Sequence, residues 1–163
     1  MSIQTNIQEV RQRIAAACGE CGRDPKEITL VGASKMNDAA ACREAIAAGI
    51  DVLGENRVQE LAAHLAADAY AGAEQVHFIG HLQTNKVKQV VGHVALIQSA
   101  GSLELLDEIE KVAAARGLVQ DILLEVNIGG EASKSGISPE ELSALAAQAV
   151  GSPHVRLRGL MAI

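Results

Sequence analysis

Six short apolar runs, rich in β-branched residues and separated by helical patterns, limit what this chain can fold into. They are Ile28–Lys35, Asp51–Asn56, Val76–His81, Val94–Gln98, Asp121–Ile128 and Arg156–Ile163. No hairpin signal joins any two of them, so the strands return through crossovers and run parallel. Strands alternating with helices specify an α/β fold with right-handed connections. At 163 residues the chain is sized for one domain over 1–163. The strand pattern alone leaves a closed barrel and an open sheet as alternatives.

The intervening patterns predict helices. Ile3, Ile7, Val10 and Ile14 form a stripe, which predicts an N-terminal helix within 3–21, ahead of the first strand, ended by the stretch from Gly19 to Pro25. Asn37 or Asp38 caps a helix that runs through Ala48 and closes at Gly49. Further helices are expected from Val58 to Ala67, over Leu82 to Val90, and from Ser102 to Ala115, the last with Leu103, Leu106 and Ile109 on one face. Ser138-Pro139-Glu-Glu141 reads as a helix start with Ser at the cap and Pro at the first position. Asp121–Ile128 is the longest strand candidate.

Composition removes several function classes. The chain is 48% hydrophobic with one Tyr, one Phe and no Trp, so its core is aliphatic and the sequence is not disordered. A net charge of −6, scattered without a basic stripe, argues against nucleic-acid binding. The N-terminus lacks a charged-then-apolar signal pattern, and no apolar run approaches the roughly 20 residues of a membrane span. A cytoplasmic protein without membrane contact is expected. Cys18-Gly-Glu-Cys21 has the spacing of a redox or zinc half-site. It lacks a second Cys/His pair and sits at a helix end, which favours a structural reading.

The chemistry gathers at strand ends. Ser34-Lys35, Glu55-Asn56, His81, Gln98-Ser99 and Asn127 all close apolar runs, and in a parallel sheet such ends meet on one face. Strand alternation puts Val31, Ala33 and Lys35 on one side, and His77, Ile79 and His81 likewise. A lone lysine in an apolar mouth is a candidate Schiff-base nucleophile; the competing reading is a solvated strand-end lysine. Gly129-Gly-Glu-Ala-Ser-Lys134-Ser-Gly136 follows a strand and carries no Walker spacing or dinucleotide fingerprint.

Five ordered motifs, Leu30-Val-Gly-Ala-Ser-Lys35, Gly54-Glu-Asn-Arg-Val-Gln-Glu60, His77-Phe-Ile-Gly-His-Leu-Gln-Thr-Asn-Lys86, Val126-Asn-Ile-Gly-Gly-Glu-Ala-Ser-Lys-Ser-Gly136 and Leu157-Arg-Gly-Leu-Met161, resemble the pyridoxal phosphate homeostasis proteins. That family is similar in fold to the amino-terminal barrel domain of alanine racemase. The resemblance covers nearly the whole chain and implies a parallel (β/α) TIM-type barrel, with six of the expected eight strands in this sequence. It implies pyridoxal 5′-phosphate as cofactor, held as a Schiff base on Lys35, with Asn56 and His81 near the ring or the lysine. It also implies a second functional lysine at Lys134. The expected role is cofactor carriage in vitamin B6 homeostasis, not catalysis, with apo-enzymes as recipients and a monomer or weak dimer as the assembly. Met36 and Asn37 depart from the residues usual in the family after the lysine. Its phosphate-holding loops and its ring-facing arginine correspond to positions beyond Ile163, so the sequence is expected to be the front part of a longer chain.

Two rival classes follow from the same residues. A racemase-like enzyme needs a second acid or base opposite the cofactor, and the single tyrosine, Tyr70, falls in a helix-to-strand connection. A cofactor-free interaction protein on the same barrel is the other.

Overall fold

The computed structural model describes residues 2–130 and 135–163. After α1 (Ile3–Cys21), strands and helices alternate: β1 (Val31–Ala33), α2 (Ala39–Ala47), β2 (Val52–Glu55), α3 (Val58–Ala66), β3 (Gln75–Phe78), β4 (Leu96–Ala100), α4 (Leu103–Arg116), β5 (Gln120–Glu125), α5 (Leu142–Gly151) and β6 (Val155–Met161). All neighbouring strands are parallel, and their order in space is their order in the chain. A doubly wound open sheet reverses its strand order at a switch point, whereas sequential order is that of a (β/α) barrel. The fold class is therefore parallel α/β of the TIM-barrel type.

Each strand alternates between two faces. Phe78, Ile97, Ile122 and Leu124 face the helices and build the main apolar core with Leu61, Leu106, Ile109 and Leu145, while Leu53 packs with Cys42 and Ala69 in a smaller cluster, all buried. Between β3 and β4 only a short 3-10 helix, Thr84–Gln89, forms where an α-helix was expected; Val87 and Val90, three apart, are buried from it. The opposite, concave face carries an apolar layer and a polar one. Val31, Gly54 and Ile79 are in close apposition, a Cβ on Gly54 falling 2.7 Å from Ile79 Cδ1 and 3.0 Å from Val31 Cγ1. Below them Gln98 Nε2 donates to His77 Nδ1 at 3.0 Å, and His77 Nε2 donates to Gln75 Oε1 at 3.1 Å. Asp121 faces Arg156 at 3.4 Å and Arg158 at 3.6 Å.

Helix ends follow local chemistry. Asp38 caps α2 by accepting from Ala41 N–H, Ser102 caps α4 by accepting from Leu105 N–H, and Gly117 closes α4 in the left-handed region. α5 starts at Leu142 and no side chain caps it, because Ser138 N–H and Oγ both donate to Glu141 Oε2 and fold residues 138–141 into a turn of their own. Leu103 is 48% exposed, and the covered face of α4 is Leu105, Leu106, Ile109 and Val112. β6, with 7 residues, is longer than β5, with 6. β1 is trimmed at its start because Leu30 N–H donates to the Asp51 carboxylate. That carboxylate also receives Arg11 at 2.6 Å, which pins α1 beside β2. Only Ile7 and Cys18 of α1 are buried, so its apolar stripe is partly covered.

Candidate functional site

The carboxyl ends of the strands lie along one edge of the sheet, and the turn after β1 is its most constrained feature. Asn37 N–H donates to Ser34 O at 3.0 Å, and Asn37 Nδ2 donates to Lys35 O at 3.1 Å. Lys35 therefore sits on a tight turn rather than inside the strand, with an exposed side chain. Met36, next to it, holds φ 63 and is 92% exposed. Ser34 N–H continues the ladder to Gly54 O at 3.0 Å, which carries Lys35 to the level of Asn56.

Asn56 is half-buried, and its Oδ1 has no hydrogen-bond partner among the described residues. The end of β3 presses against it: Ile79 N–H donates to Glu55 O at 2.8 Å, and a Cβ on Gly80 would lie 2.0 Å from Asn56 O. His81 comes directly after that contact. It lies beyond the last strand residue, Phe78, so its position is set by the loop and not by strand alternation. Its ring is exposed, with Nδ1 3.3 Å from Ser135 Oγ. Beside it a cleft is lined by Ser99, Ser102, Glu125 and Gly136. Ser99 Oγ is buried there without a partner among the described residues, and burial pushes the Glu125 carboxyl above its usual range against the opposing pull of His81.

Thus Lys35, Asn56 and His81 share one edge of the sheet. Lys134 lies outside the described residues. Gln98 does not join the edge: β4 runs on to Ala100, and Gln98 is inside the concave face on His77. Glu55 turns the other way, toward the helices, and is fully buried. Its Oε1 accepts from Ser34 Oγ, from Tyr70 Oη at 2.7 Å, and pairs with His64 Nδ1 at 2.7 Å. Burial, and then the Glu55 carboxylate, drive the Tyr70 phenol far above its ordinary pKa. This cluster escaped the reading of strand ends, although a signal existed. Glu55 has the parity of Leu53 on a strand otherwise apolar on its helix side, and a carboxylate there demands buried partners. His64, three residues after Leu61 on the covered side of α3, is one. Cys18 is buried, and Cys21 Sγ lies 3.5 Å from Cys18 O.

Comparison with known proteins agrees with this architecture. The alanine racemase N-terminal domain family matches residues 2–163. The pyridoxal phosphate homeostasis protein of Aquifex aeolicus is 43% identical over 163 residues, spanning 100% of this chain and 71% of that protein. PipY of Synechococcus elongatus, solved with PLP bound, superposes with a TM-score of 0.79 at 33% identity, covering 94% of this chain and 70% of PipY. Alanine racemase from Streptomyces coelicolor shares the fold, with a TM-score of 0.74 at 19% identity over 98% of this chain and 41% of the racemase. The strand order, the motifs and these relatives agree: the chain belongs to the pyridoxal phosphate homeostasis protein family, on the alanine racemase N-terminal domain fold.

Proposed function

We propose that this protein binds pyridoxal 5′-phosphate at the strand-end edge, with Lys35 as its covalent attachment point, and acts as a carrier in vitamin B6 homeostasis that hands the cofactor to apo-enzymes. The observation that carries the reading is an exposed primary amine on a tightly held turn, level with an amide oxygen that lacks a partner among the described residues. PipY, which shares the fold at 33% identity, was solved with this cofactor bound. The bound cofactor supplies an electrophilic aldehyde, which condenses with an amine to a Schiff base and releases water.

The residues present fit such a group. Lys35 offers a flexible amine to open space, Asn56 a half-buried amide oxygen awaiting a donor, and His81 an imidazole at the same edge. The Schiff-base role falls to the neutral amine of Lys35, and Asn56 and His81 flank it as orienting contacts. A carrier role is favoured over a racemase because the phenol of Tyr70 is committed to Glu55 on the helix side of the sheet, where it serves no strand-end proton transfer. Lys134 is assigned a secondary role in cofactor transfer, on family resemblance alone.

Cofactor titration followed by absorbance tests the reading. Wild type should develop the long-wavelength band of a protein-bound Schiff base, and Lys35→Ala should lose it at the same cofactor concentration. An equal band in both proteins would overturn the assignment.

A further inference from the structure

The turn bearing Lys35 is unfavourable by itself. Met36 occupies the left-handed region at φ 63, which a residue with a Cβ adopts only when its surroundings hold it there. Both flanks of the turn are held, and by the same atom. On one side Ser34, 3% exposed, donates its hydroxyl to Glu55 Oε1. On the other, Asn37 O meets His64 Nε2 at 3.0 Å, and His64 Nδ1 meets Glu55 Oε1 at 2.7 Å. A carbonyl oxygen only accepts, so His64 Nε2 carries a hydrogen and donates it to Asn37. Its Nδ1 faces the same Oε1 that accepts from Ser34 and Tyr70.

Tyr70 completes the arrangement. Its hydroxyl donates to Oε1, and its ring meets the His64 ring edge-on with centroids 5.8 Å apart. Glu55 is fully buried, and its Oε2 has no partner among the described residues. Burying a carboxylate for packing alone is unfavourable, since apolar side chains of equal volume fill such space at lower cost. What the carboxylate does here is join Ser34 and, through His64, Asn37: the residues on either side of Lys35 and Met36.

We propose that Glu55 and His64 are positioning residues for Lys35, forming a buried clamp that fixes the turn and so sets where the lysine amine is presented. This rests on the reading of Lys35 as the cofactor lysine. The clamp itself is a property of the chain without cofactor, and its test separates the two.

Two substitutions at one position divide the clamp. In His64→Asn the amide nitrogen takes the place of Nδ1, keeps Glu55 partnered and loses Asn37. In His64→Gln the amide nitrogen reaches as far as Nε2, keeps Asn37 and loses Glu55. Hydrogen–deuterium exchange of the cofactor-free protein is followed over 34–38. His64→Asn should exchange about tenfold faster there, the equivalent of one lost hydrogen bond, with β2 and α3 unchanged. His64→Gln should leave 34–38 near wild type while lowering global stability. With pyridoxal 5′-phosphate added, adduct formation should be about tenfold slower in His64→Asn and less affected in His64→Gln. Unchanged exchange over 34–38 in His64→Asn would overturn the clamp. Should that variant fail to fold, Ser34→Ala cuts the other flank: faster exchange over 34–38 supports the clamp, and unchanged exchange overturns it. If wild type forms no adduct on Lys35, the cofactor reading fails, and the exchange result still decides the clamp.

Discussion

At the scale of single residues, two buried ionisable groups make opposite pH predictions. Burial pushes Glu125 up from its ordinary value of 4.5, with His81 pulling the other way. A carboxyl raised by folding holds its proton longer in the native state, so stability falls as pH rises from about 4.5 through the raised value. Glu125→Gln should therefore be more stable than wild type at pH 7 and no more stable at pH 4, as read from thermal melts at the two pH values. Burial lowers His77 from its ordinary 6.5, which agrees with a neutral ring that accepts from Gln98 and donates to Gln75. A histidine lowered by folding contributes stability above about 6.5 that is lost as pH falls below it. In His77→Gln that acid-side loss should shrink. Lys35 was legible in the sequence as the lone charge ending an apolar run. Glu55 was legible as a strand-end carboxylate of Leu53 parity, but its partners were not, because His64 and Tyr70 arrive from later segments that only the fold brings near.

At the scale of elements, the junction of β2 and β3 sets the site. Ile79 N–H donates to Glu55 O, and the chain then passes so close to Asn56 that a Cβ on Gly80 would sit 2.0 Å from its carbonyl oxygen. Backbone, not a flexible side chain, occupies that space, so neither strand end can yield without moving Asn56 or His81. Gly80→Ala should lose about 1–3 kcal/mol of stability in denaturant unfolding, the range for forced overpacking. A change within experimental error would show that the two ends are not locked together. Element type was largely legible from the sequence, because alternation and caps are local. Element ends were not. The start of α5 moved because Ser138 and Glu141 satisfied each other, and the end of β1 moved because the chain turned at Ser34.

For the whole molecule, strand pattern left barrel and open sheet as alternatives, since both alternate β and α. Sequential strand order resolves that choice, and it is a long-range property that no local window contains. The order gives the sheet one edge where all strands end and one concave face whose upper layer is apolar. The proposed cofactor site lies along that edge. Lys35 is the amine proposed to hold the cofactor. Borohydride reduction of the protein mixed with pyridoxal 5′-phosphate, followed by peptide mapping by mass spectrometry, tests it most directly. A reduced pyridoxyl phosphate adduct should appear on the peptide containing Lys35 and be absent in Lys35→Ala. An adduct confined to other lysines, with Lys35 unmodified, would contradict it.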